Sequence, residues 1–368
     1  MNLYVEVRRR TDMIYVSLVV AFIAAIILTP LVKRFAFRIG AVDAPNYRKV
    51  HARIMPRLGG LAIYGAFIIG FLFLKLVTGF ESDYAYTILI AATIIVITGI
   101  VDDMREISAK AKMLGQVVAA CMVVFIADIQ IDFINLPFDG VLNFGWLAYP
   151  LTIVWIVGVT NAVNLIDGLD GLAAGVSTIA LATLAVMAML MGNGIVIAMA
   201  AILAAATIGF LVFNFHPAKI FMGDTGALFL GFMISVLALL GFKNVTVISF
   251  IIPIIILGVP ISDTFFAIVR RLRQKKKWSD PDKSHLHHRL LDLGFTHRQT
   301  VLIIYGIASM FGVVAIVFSM AKIWGAILLI TVLLVAIELL VEIVGLAGNN
   351  YKPLINFIRG NKEQVNKE

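Results

Sequence analysis

Residues 161–175 read Asn-Ala-Val-Asn-Leu-Ile-Asp-Gly-Leu-Asp-Gly-Leu-Ala-Ala-Gly, and they separate two long apolar segments of the chain. Polar residues recur there every third position, so on a helix they form a slowly turning stripe: Asn161, Asn164, Asp167 and Asp170. A carboxylate at bilayer depth costs roughly 2.5–3.5 kcal/mol, so these acids are expected to line a watery pocket or to hold a cation. The alternative is a polar turn between two helices, with glycines that serve the turn.

The composition is that of a membrane protein. Of 368 residues, 61% are hydrophobic and 14% charged, and the mean hydropathy is +0.99. The sequence therefore predicts an all-α polytopic membrane protein. Cys121 is the single cysteine, which excludes an intrachain disulfide and a cysteine-based metal site. The net charge of +8 favours anionic lipid and anionic substrates as partners over nucleic acid.

Eleven apolar windows are long enough to cross a bilayer. They fall at residues 13–32, 59–79, 84–101, 113–129, 147–165, 171–191, 195–213, 225–242, 245–268, 300–320 and 323–345. We expect one integral membrane domain over residues 1–350 and a basic cytoplasmic tail over 351–368. The connection at residues 130–146 is expected to form a short hairpin.

Basic residues predict the orientation. When successive connections between spans are assigned alternately to the two sides of the membrane, 24 Lys and Arg residues fall on one side and 6 on the other. The positive-inside rule then puts the N-terminus outside and the C-terminus in the cytoplasm. Three N-terminal arginines oppose this orientation and are outweighed by seven basic residues after the first span. All six histidines then lie on the cytoplasmic side, together with most of the polar motifs.

Three further acidic residues join Asp167 and Asp170 on that side. Asp102 and Asp103 end the third span, and adjacent carboxylates need a cation or hydrogen bonds to offset their repulsion. Asp224 lies between two glycines just before another span, where it can face a ligand or simply cap the helix. For Asp102 and Asp103, the alternative is a solvated helix end with Arg105 as a nearby partner. An all-oxygen set of this kind suits Mg²⁺ or Mn²⁺.

A donor cluster follows in the cytoplasmic loop after residue 268. It consists of His285, His287, His288, Arg289 and Lys283. Phosphate binding is the interpretation we favour for it, with a zinc site and a merely solvated basic loop as alternatives. Phe221, three residues before Asp224, either stacks on a base or lies at the membrane interface.

Together these residues describe phosphoryl transfer at a membrane surface, with carboxylates for a hard cation and Lys, Arg and His donors for phosphate charge. A transporter or flippase is the rival from another class, and it predicts acids near span midpoints or a pseudo-symmetric repeat. The five acids of this set instead lie at the cytoplasmic ends of spans. A structural scaffold gives no reason to collect them on one face.

The chain resembles the polyprenyl-phosphate N-acetylhexosamine-1-phosphate transferases, the family of MraY, WecA and TagO. Four motifs carry the resemblance in family order: Asp102-Asp103, Asn164-Leu-Ile-Asp-Gly-Leu-Asp-Gly171, Phe221-Met-Gly-Asp-Thr-Gly226 and His285-Leu-His-His-Arg289. The resemblance implies transfer of a sugar-1-phosphate from a UDP-sugar to undecaprenyl phosphate, with release of UMP. It also implies a bacterial plasma membrane protein with a cytoplasmic active site, and a homodimer is compatible with it.

Residue roles follow from the resemblance alone. Asp224 would be the main Mg²⁺ ligand, Asp102 would deprotonate or orient the lipid phosphate with Asp103 close by, and Lys112 would neutralise phosphate. Asn164, Asp167 and Asp170 would line the nucleotide and metal site, Phe221 would stack on uracil, and the histidine loop would hold the sugar phosphate. The family's lysine near position 107 is absent, since Arg105-Glu106 occupies that region.

Leu286 interrupts the histidines as in the WecA and TagO branch, which favours UDP-N-acetylglucosamine over the MurNAc-pentapeptide nucleotide of the MraY branch. Arg48-Lys-Val-His51, Met55-Pro-Arg57 and Pro281-Asp-Lys-Ser-His285 look closest to TagO, so the product is expected to start wall teichoic acid, O-antigen or a similar surface glycan. Direct attack by the lipid phosphate and a phospho-aspartate route use the same residues. We favour direct attack, because metal and donors suffice for phosphoryl transfer.

Overall fold

The computed structural model describes residues 2–43, 54–79, 82, 84–135, 140–242, 247–275, 284–348 and 351–357. Helices dominate these residues: α1 (Asn2–Ile39), α2 (Gly59–Thr78), α3 (Ala85–Arg105), α4 (Ala109–Phe125), α5 (Ala148–Leu165), α6 (Leu172–Met191), α7 (Gly194–Asn214), α8 (Gly223–Phe242), α9 (Val247–Ile256), α10 (Gly258–Arg273), α11 (Leu286–Asp292), α12 (His297–Met320) and α13 (Ile323–Val344). Two short antiparallel pairs complete them, β1 (Val42–Asp43) with β2 (Met55–Pro56) and β3 (Phe133–Asn135) with β4 (Val141–Asn143).

Nine of the described helices are long and apolar enough to cross a membrane: α1, α2, α3, α5, α6, α7, α8, α12 and α13. The predicted all-α polytopic membrane protein is therefore confirmed. The β3–β4 pair confirms the hairpin expected at residues 130–146. The predicted total of eleven spans and the predicted orientation stay predictions.

The predicted span at 245–268 is not one uninterrupted helix, and its crossing of the membrane stays a prediction. The structure has two helices there, α9 and α10, separated at Leu257. Pro260 has no amide hydrogen to donate to the Ile256 carbonyl, so the helical hydrogen-bond ladder is interrupted at this point. The predicted span at 113–129 corresponds to the 17-residue helix α4, which begins earlier at Ala109 and ends at Phe125.

Helix α8 is the central element of the bundle. Its apolar window is 89% buried, whereas that of α13 at the periphery is only 17% buried. Glycines allow the close approach at its N-terminal end. A methyl group on Gly60 of α2 would collide with the Gly226 backbone, and one on Gly99 of α3 would collide with Thr225. Small residues therefore bring α2 and α3 against the first turn of α8.

Main-chain hydrogen bonds fix the segment that precedes α8. The Phe221 amide donates to Pro56 O at 2.9 Å, and the Gly59 and Gly60 amides donate to Phe221 O and Met222 O at 3.0 and 2.9 Å. Because Gly59 begins α2 and Gly223 begins α8, the N-termini of the two helices lie side by side. This end of the bundle carries the polar motifs.

The start of the predicted C-terminal tail packs on the domain. Buried Glu342 of α13 accepts hydrogen bonds from the Leu354 and Ile355 amides at 2.6 and 2.8 Å, at the start of a helical turn over residues 353–357. Residues 358–368 of the tail, the Arg48-Lys-Val-His51 stretch and residues 281–283 lie outside the described residues.

Candidate active site

Lys112 joins two of the predicted acids. Its ammonium group lies 2.9 Å from Asp102 Oδ2 at the end of α3 and also pairs with Asp224 Oδ2 at the start of α8. Asn164, near the end of α5, donates to the other Asp224 oxygen at 3.1 Å. Residues from four helices thus meet at one point, with Lys112 supplied by the first turn of α4. Two carboxylates around one cation form a centre suited to phosphate chemistry.

Asp103 holds the N-terminus of α8. Its Oδ1 accepts the Asp224 amide at 2.9 Å, and its Oδ2 accepts the Thr225 amide at 3.0 Å and the Thr225 hydroxyl at 2.7 Å. Arg57 Nε lies 3.6 Å from the same carboxylate. The first amides of a helix lack intrahelical partners, and a carboxylate there is favoured by the helix dipole. Asp103 therefore positions Asp224, and its side chain is fully buried.

The polar stripe predicted for residues 161–175 is only half helical. Helix α5 ends at Leu165 and α6 begins at Leu172, so Asp167 and Asp170 lie on the connecting turn, and the alternative of an interhelical turn is correct for them. Asn161 pairs with Gln116 of α4 rather than with the acids, with donor–acceptor distances of 2.5 and 3.4 Å. The single helical stripe is wrong because Gly171 ends the turn at a φ of 76°, which favours glycine.

Asp167 is the acid of this turn that remains open to solvent. Surrounding protein disfavours its charged form, and the nearby Asp224 and Asp103 carboxylates add to this effect, so the pKa of Asp167 is raised to about 7. Surrounding protein and two like charges thus both favour the protonated form of this carboxyl group. It is poised to gain or lose a proton, or to lose it on meeting a cation.

Asp170 lies in a different environment, beside two histidines. Its Oδ2 is 2.8 Å from His216 Nδ1 and accepts the Ala218 amide at 3.0 Å. Ligand atoms of Asp170, His216 and His297 lie within 4.8 Å of one another, as in a metal site. The two imidazoles, however, are stacked with centroids 4.2 Å apart and an interplanar angle of 24°. Nitrogen lone pairs lie in the ring plane, so nearly parallel rings do not converge on one ion. We interpret the group as a hydrogen-bonded stack.

The histidine motif forms the short helix α11. His287 is buried and packs on the connecting turn, since a methyl group on Gly168 would collide with its imidazole. Burial, followed by the neighbouring His288, lowers the pKa of His287 to about 3, so this ring is neutral at pH 7. His288 lies against it, with ring centroids 4.2 Å apart. The predicted phosphate-binding cluster therefore receives no positive charge from His287.

Buried Asp263 of α10 anchors this helix. Its Oδ2 lies 2.9 Å from His285 Nδ1, and its Oδ1 accepts the Leu286 amide at 2.8 Å. Asp263 lies outside the four motifs recognised in the sequence. The available signal was that it is the one acidic residue inside the predicted span 245–268, and an ionisable residue in a span is a functional candidate by default.

Known proteins are similar over most of this chain. A profile of Glycosyl transferase family 4 matches residues 85–242. The "Probable undecaprenyl-phosphate N-acetylglucosaminyl 1-phosphate transferase" of Bacillus subtilis is 49% identical over 349 residues, which cover 94% of this chain and 96% of the relative. The "Decaprenyl-phosphate N-acetylglucosaminephosphotransferase" of Mycobacterium tuberculosis is 33% identical, over 88% of this chain and 87% of the relative.

The chain belongs to the polyprenyl-phosphate N-acetylhexosamine-1-phosphate transferase family. A more distant relative, the "Undecaprenyl-phosphate alpha-N-acetylglucosaminyl 1-phosphate transferase" of Salmonella typhimurium, is 28% identical over 78% of this chain and 79% of its own length. The family recognised from four sequence motifs is thereby confirmed.

In this transferase, Lys112 of α4 supplies the positive charge between Asp102 and Asp224. Glu106, beside the position where the family's lysine is missing, ends α3 in the left-handed conformation with a φ of 48°. Arg57 and Thr225 at Asp103 were not assigned roles from the sequence, because their contacts join segments more than 40 residues apart. Phe221 is fixed through its backbone beside Arg57, and its predicted stacking on uracil stays a prediction.

Proposed function

We propose that this transferase moves N-acetylglucosamine-1-phosphate from UDP-N-acetylglucosamine to undecaprenyl phosphate, releasing UMP and leaving a lipid-linked diphosphate sugar. The names of the relatives support both substrate classes, a polyprenyl phosphate and an N-acetylglucosamine phosphate donor. The observation that carries the proposal is the Lys112 ammonium group held between Asp102 and Asp224 at the N-terminus of α8. Phosphoryl transfer needs this combination of fixed cationic donors and carboxylates.

The donor set fits a divalent metal ion. Asp224, Asp102 and solvent-exposed Asp167 offer only oxygen ligands, which Mg²⁺ and Mn²⁺ prefer. Surrounding protein is the main cause of the raised pKa of Asp167, and the nearby Asp224 and Asp103 carboxylates add to it. Asp224 would be the principal ligand. When bound, the ion neutralises phosphate charge in the transition state. Asn164, which donates to Asp224 at 3.1 Å, orients this carboxylate whether or not the ion is present.

The reaction we propose is a direct displacement. An oxygen of the lipid phosphate forms a bond to the sugar-bearing phosphorus of UDP-N-acetylglucosamine, and the bond from that phosphorus to the bridging oxygen breaks, so UMP leaves with the electron pair. Asp102 orients the lipid phosphate and accepts its proton if it carries one, while Lys112 offsets the growing negative charge. A phospho-enzyme at Asp103 is disfavoured, because its oxygens already accept the α8 amides.

The location of the site completes the proposal. We propose that the protein lies in the bacterial plasma membrane with the acid cluster and α11 on the cytoplasmic face, where the nucleotide sugar is available and where the basic connections are expected. The product would start a surface glycan such as wall teichoic acid or O-antigen. A homodimer stays a prediction from the family.

The test is UMP release by the purified full-length protein in detergent with undecaprenyl phosphate and Mg²⁺. We expect release with UDP-N-acetylglucosamine and none with UDP-MurNAc-pentapeptide, and loss of release on adding EDTA with recovery in excess Mg²⁺. Asp224→Asn and Asp102→Asn should each lower kcat by about 10²–10³-fold, since each removes a charge that acts in the transition state.

Asp132→Asn is the matched control, because Asp132 lies in the connection between α4 and α5, at the opposite end of α4 from Lys112. It should retain wild-type turnover. UMP release from the pentapeptide nucleotide alone would move the protein to the MraY branch. Absence of release from either nucleotide by folded protein would contradict the proposed reaction.

A further inference from the structure

Asp263 is a buried carboxylate for which the proposed reaction has no direct use. Its side chain is 2% exposed, and it lies in α10 rather than at the acid cluster. Burying a carboxylate is costly unless both oxygens are satisfied. Here both oxygens are satisfied by the histidine motif, through the His285 imidazole at 2.9 Å and the Leu286 amide at 2.8 Å.

These two contacts fix the start of α11. This helix has only seven residues, far fewer than a helix needs to be stable on its own in water. The Leu286 amide is the first of its unpaired N–H groups, and a carboxylate at that end is favoured by the helix dipole. The position of α11 therefore depends on tertiary anchors, and Asp263 is a charged one.

Helix α10 is itself held firmly. Buried Arg270, two turns after Asp263, donates to Leu346 O at 2.5 Å just beyond the end of α13. At the other side of the anchor, His287 rests against Gly168, next to Asp167 of the acid-bearing turn. A continuous set of contacts thus runs from α13 through α10 and α11 to the site.

We infer that Asp263 is a positioning residue of the transferase: it sets the register of α11, so that His287 and its neighbours face the turn at residues 167–170. This inference rests on the proposed function, because it assigns the histidine helix to the nucleotide-sugar side of that reaction. An ionised carboxylate only accepts hydrogen bonds, so it also fixes the hydrogen of His285 on Nδ1.

Two substitutions separate the hydrogen-bond geometry from the charge. Asp263→Ala removes both acceptors and frees the start of α11. Asp263→Asn keeps the shape and can still accept from Leu286, but its amide must donate to His285 Nδ1, which moves the imidazole hydrogen to Nε2. Ser262→Ala is the matched control on α10, since the Ser262 hydroxyl donates within its own helix, to Val259 O at 3.2 Å.

The measurement is steady-state UMP release with each substrate varied in turn. We expect kcat/KM for UDP-N-acetylglucosamine to fall about 100-fold in Asp263→Ala and about 10-fold in Asp263→Asn, as for other losses of a group that orients a site residue. The KM for undecaprenyl phosphate should stay within about twofold of wild type in both variants, because the anchor acts on the nucleotide-sugar side. Ser262→Ala should match wild type throughout.

Amide hydrogen exchange supplies a readout that does not need turnover. In Asp263→Ala the amides of α11 should exchange at least about tenfold faster, while those of α12 keep their protection. Wild-type kinetics in both Asp263 variants would overturn the inference, as would equal losses for both substrates accompanied by faster exchange throughout the protein. If wild-type protein releases no UMP, the proposed function fails, whereas the exchange result still decides the anchor.

Discussion

The two halves of the site are built in different ways. The acid half stands on long, buried helices, and its Asp103 carboxylate accepts the first amides of α8, the most buried of the described spans. The histidine half is a seven-residue helix that depends on one buried carboxylate and on a glycine-sized gap. The comparison teaches that the acid cluster is supported by long, buried helices, whereas the histidine helix, which we propose meets the sugar nucleotide, is held in place by side-chain contacts.

The largest effect is expected at the cation of the acid half. Lys112→Ala removes the positive charge between Asp102 and Asp224, so kcat should fall by about 10³-fold. Lys110→Ala, an exposed lysine in the same turn of α4, is the control and should keep full activity. Steady-state UMP release measures both. Equal activities of the two variants would mean that Lys112 serves only to neutralise the acids in the resting protein.

The next effect concerns the support of the acid half. Asp103→Ala leaves the Asp224 and Thr225 amides without their acceptors, which should cost about 2–3 kcal/mol of stability and lower kcat by about 100-fold. The apparent Tm in detergent and UMP release check the two parts. Asp103→Asn retains one acceptor and should lie between. If Asp103→Asn loses all activity at an unchanged Tm, Asp103 takes part in the chemistry itself.

Substitutions in the histidine half should have a smaller effect on activity, and this effect should appear in KM rather than in kcat. Gly168→Ala forces His287 away from the turn, and we expect KM for UDP-N-acetylglucosamine to rise about tenfold with kcat within a few-fold of wild type. Gly158→Ala in α5 is the control, because a methyl group there meets no atom within 4 Å. A fall in kcat with an unchanged KM would assign α11 to the chemical step rather than to substrate positioning.

The smallest effect is a pH dependence from Asp167, whose pKa of about 7 exceeds the value near 4 of an unfolded chain. The folded protein then binds more protons than the unfolded one, so the contribution to stability is full below about pH 4 and is lost as the pH rises through about 7. The Tm of metal-free protein should therefore decline between pH 5.5 and 8. Asp167→Asn should flatten this decline, and an unchanged slope would show that another group titrates.

Much of the fold was predictable because membrane-spanning helices can be recognised from long runs of apolar residues. Long apolar windows give nine of the described helices. The helix break within 245–268 was not predicted, because hydropathy sums over a window and ignores Pro260, whose missing amide interrupts the hydrogen-bond ladder there. Similarly, the three-residue spacing of residues 161–170 suggested one helix, whereas the glycines of the segment favour the observed turn.

The sequence by itself determined the membrane class, the family and the identity of the acids and histidines, since these depend on composition and on motifs that are contiguous in the chain. Only the tertiary structure decided which of these residues act together. Lys112 meets Asp224 across 112 positions, Asp103 reaches the α8 amides across 121, and Asp263 reaches the His285 ring across 22. Such partners are chosen by helix packing and by the need to satisfy buried polar groups, and no local pattern records that choice.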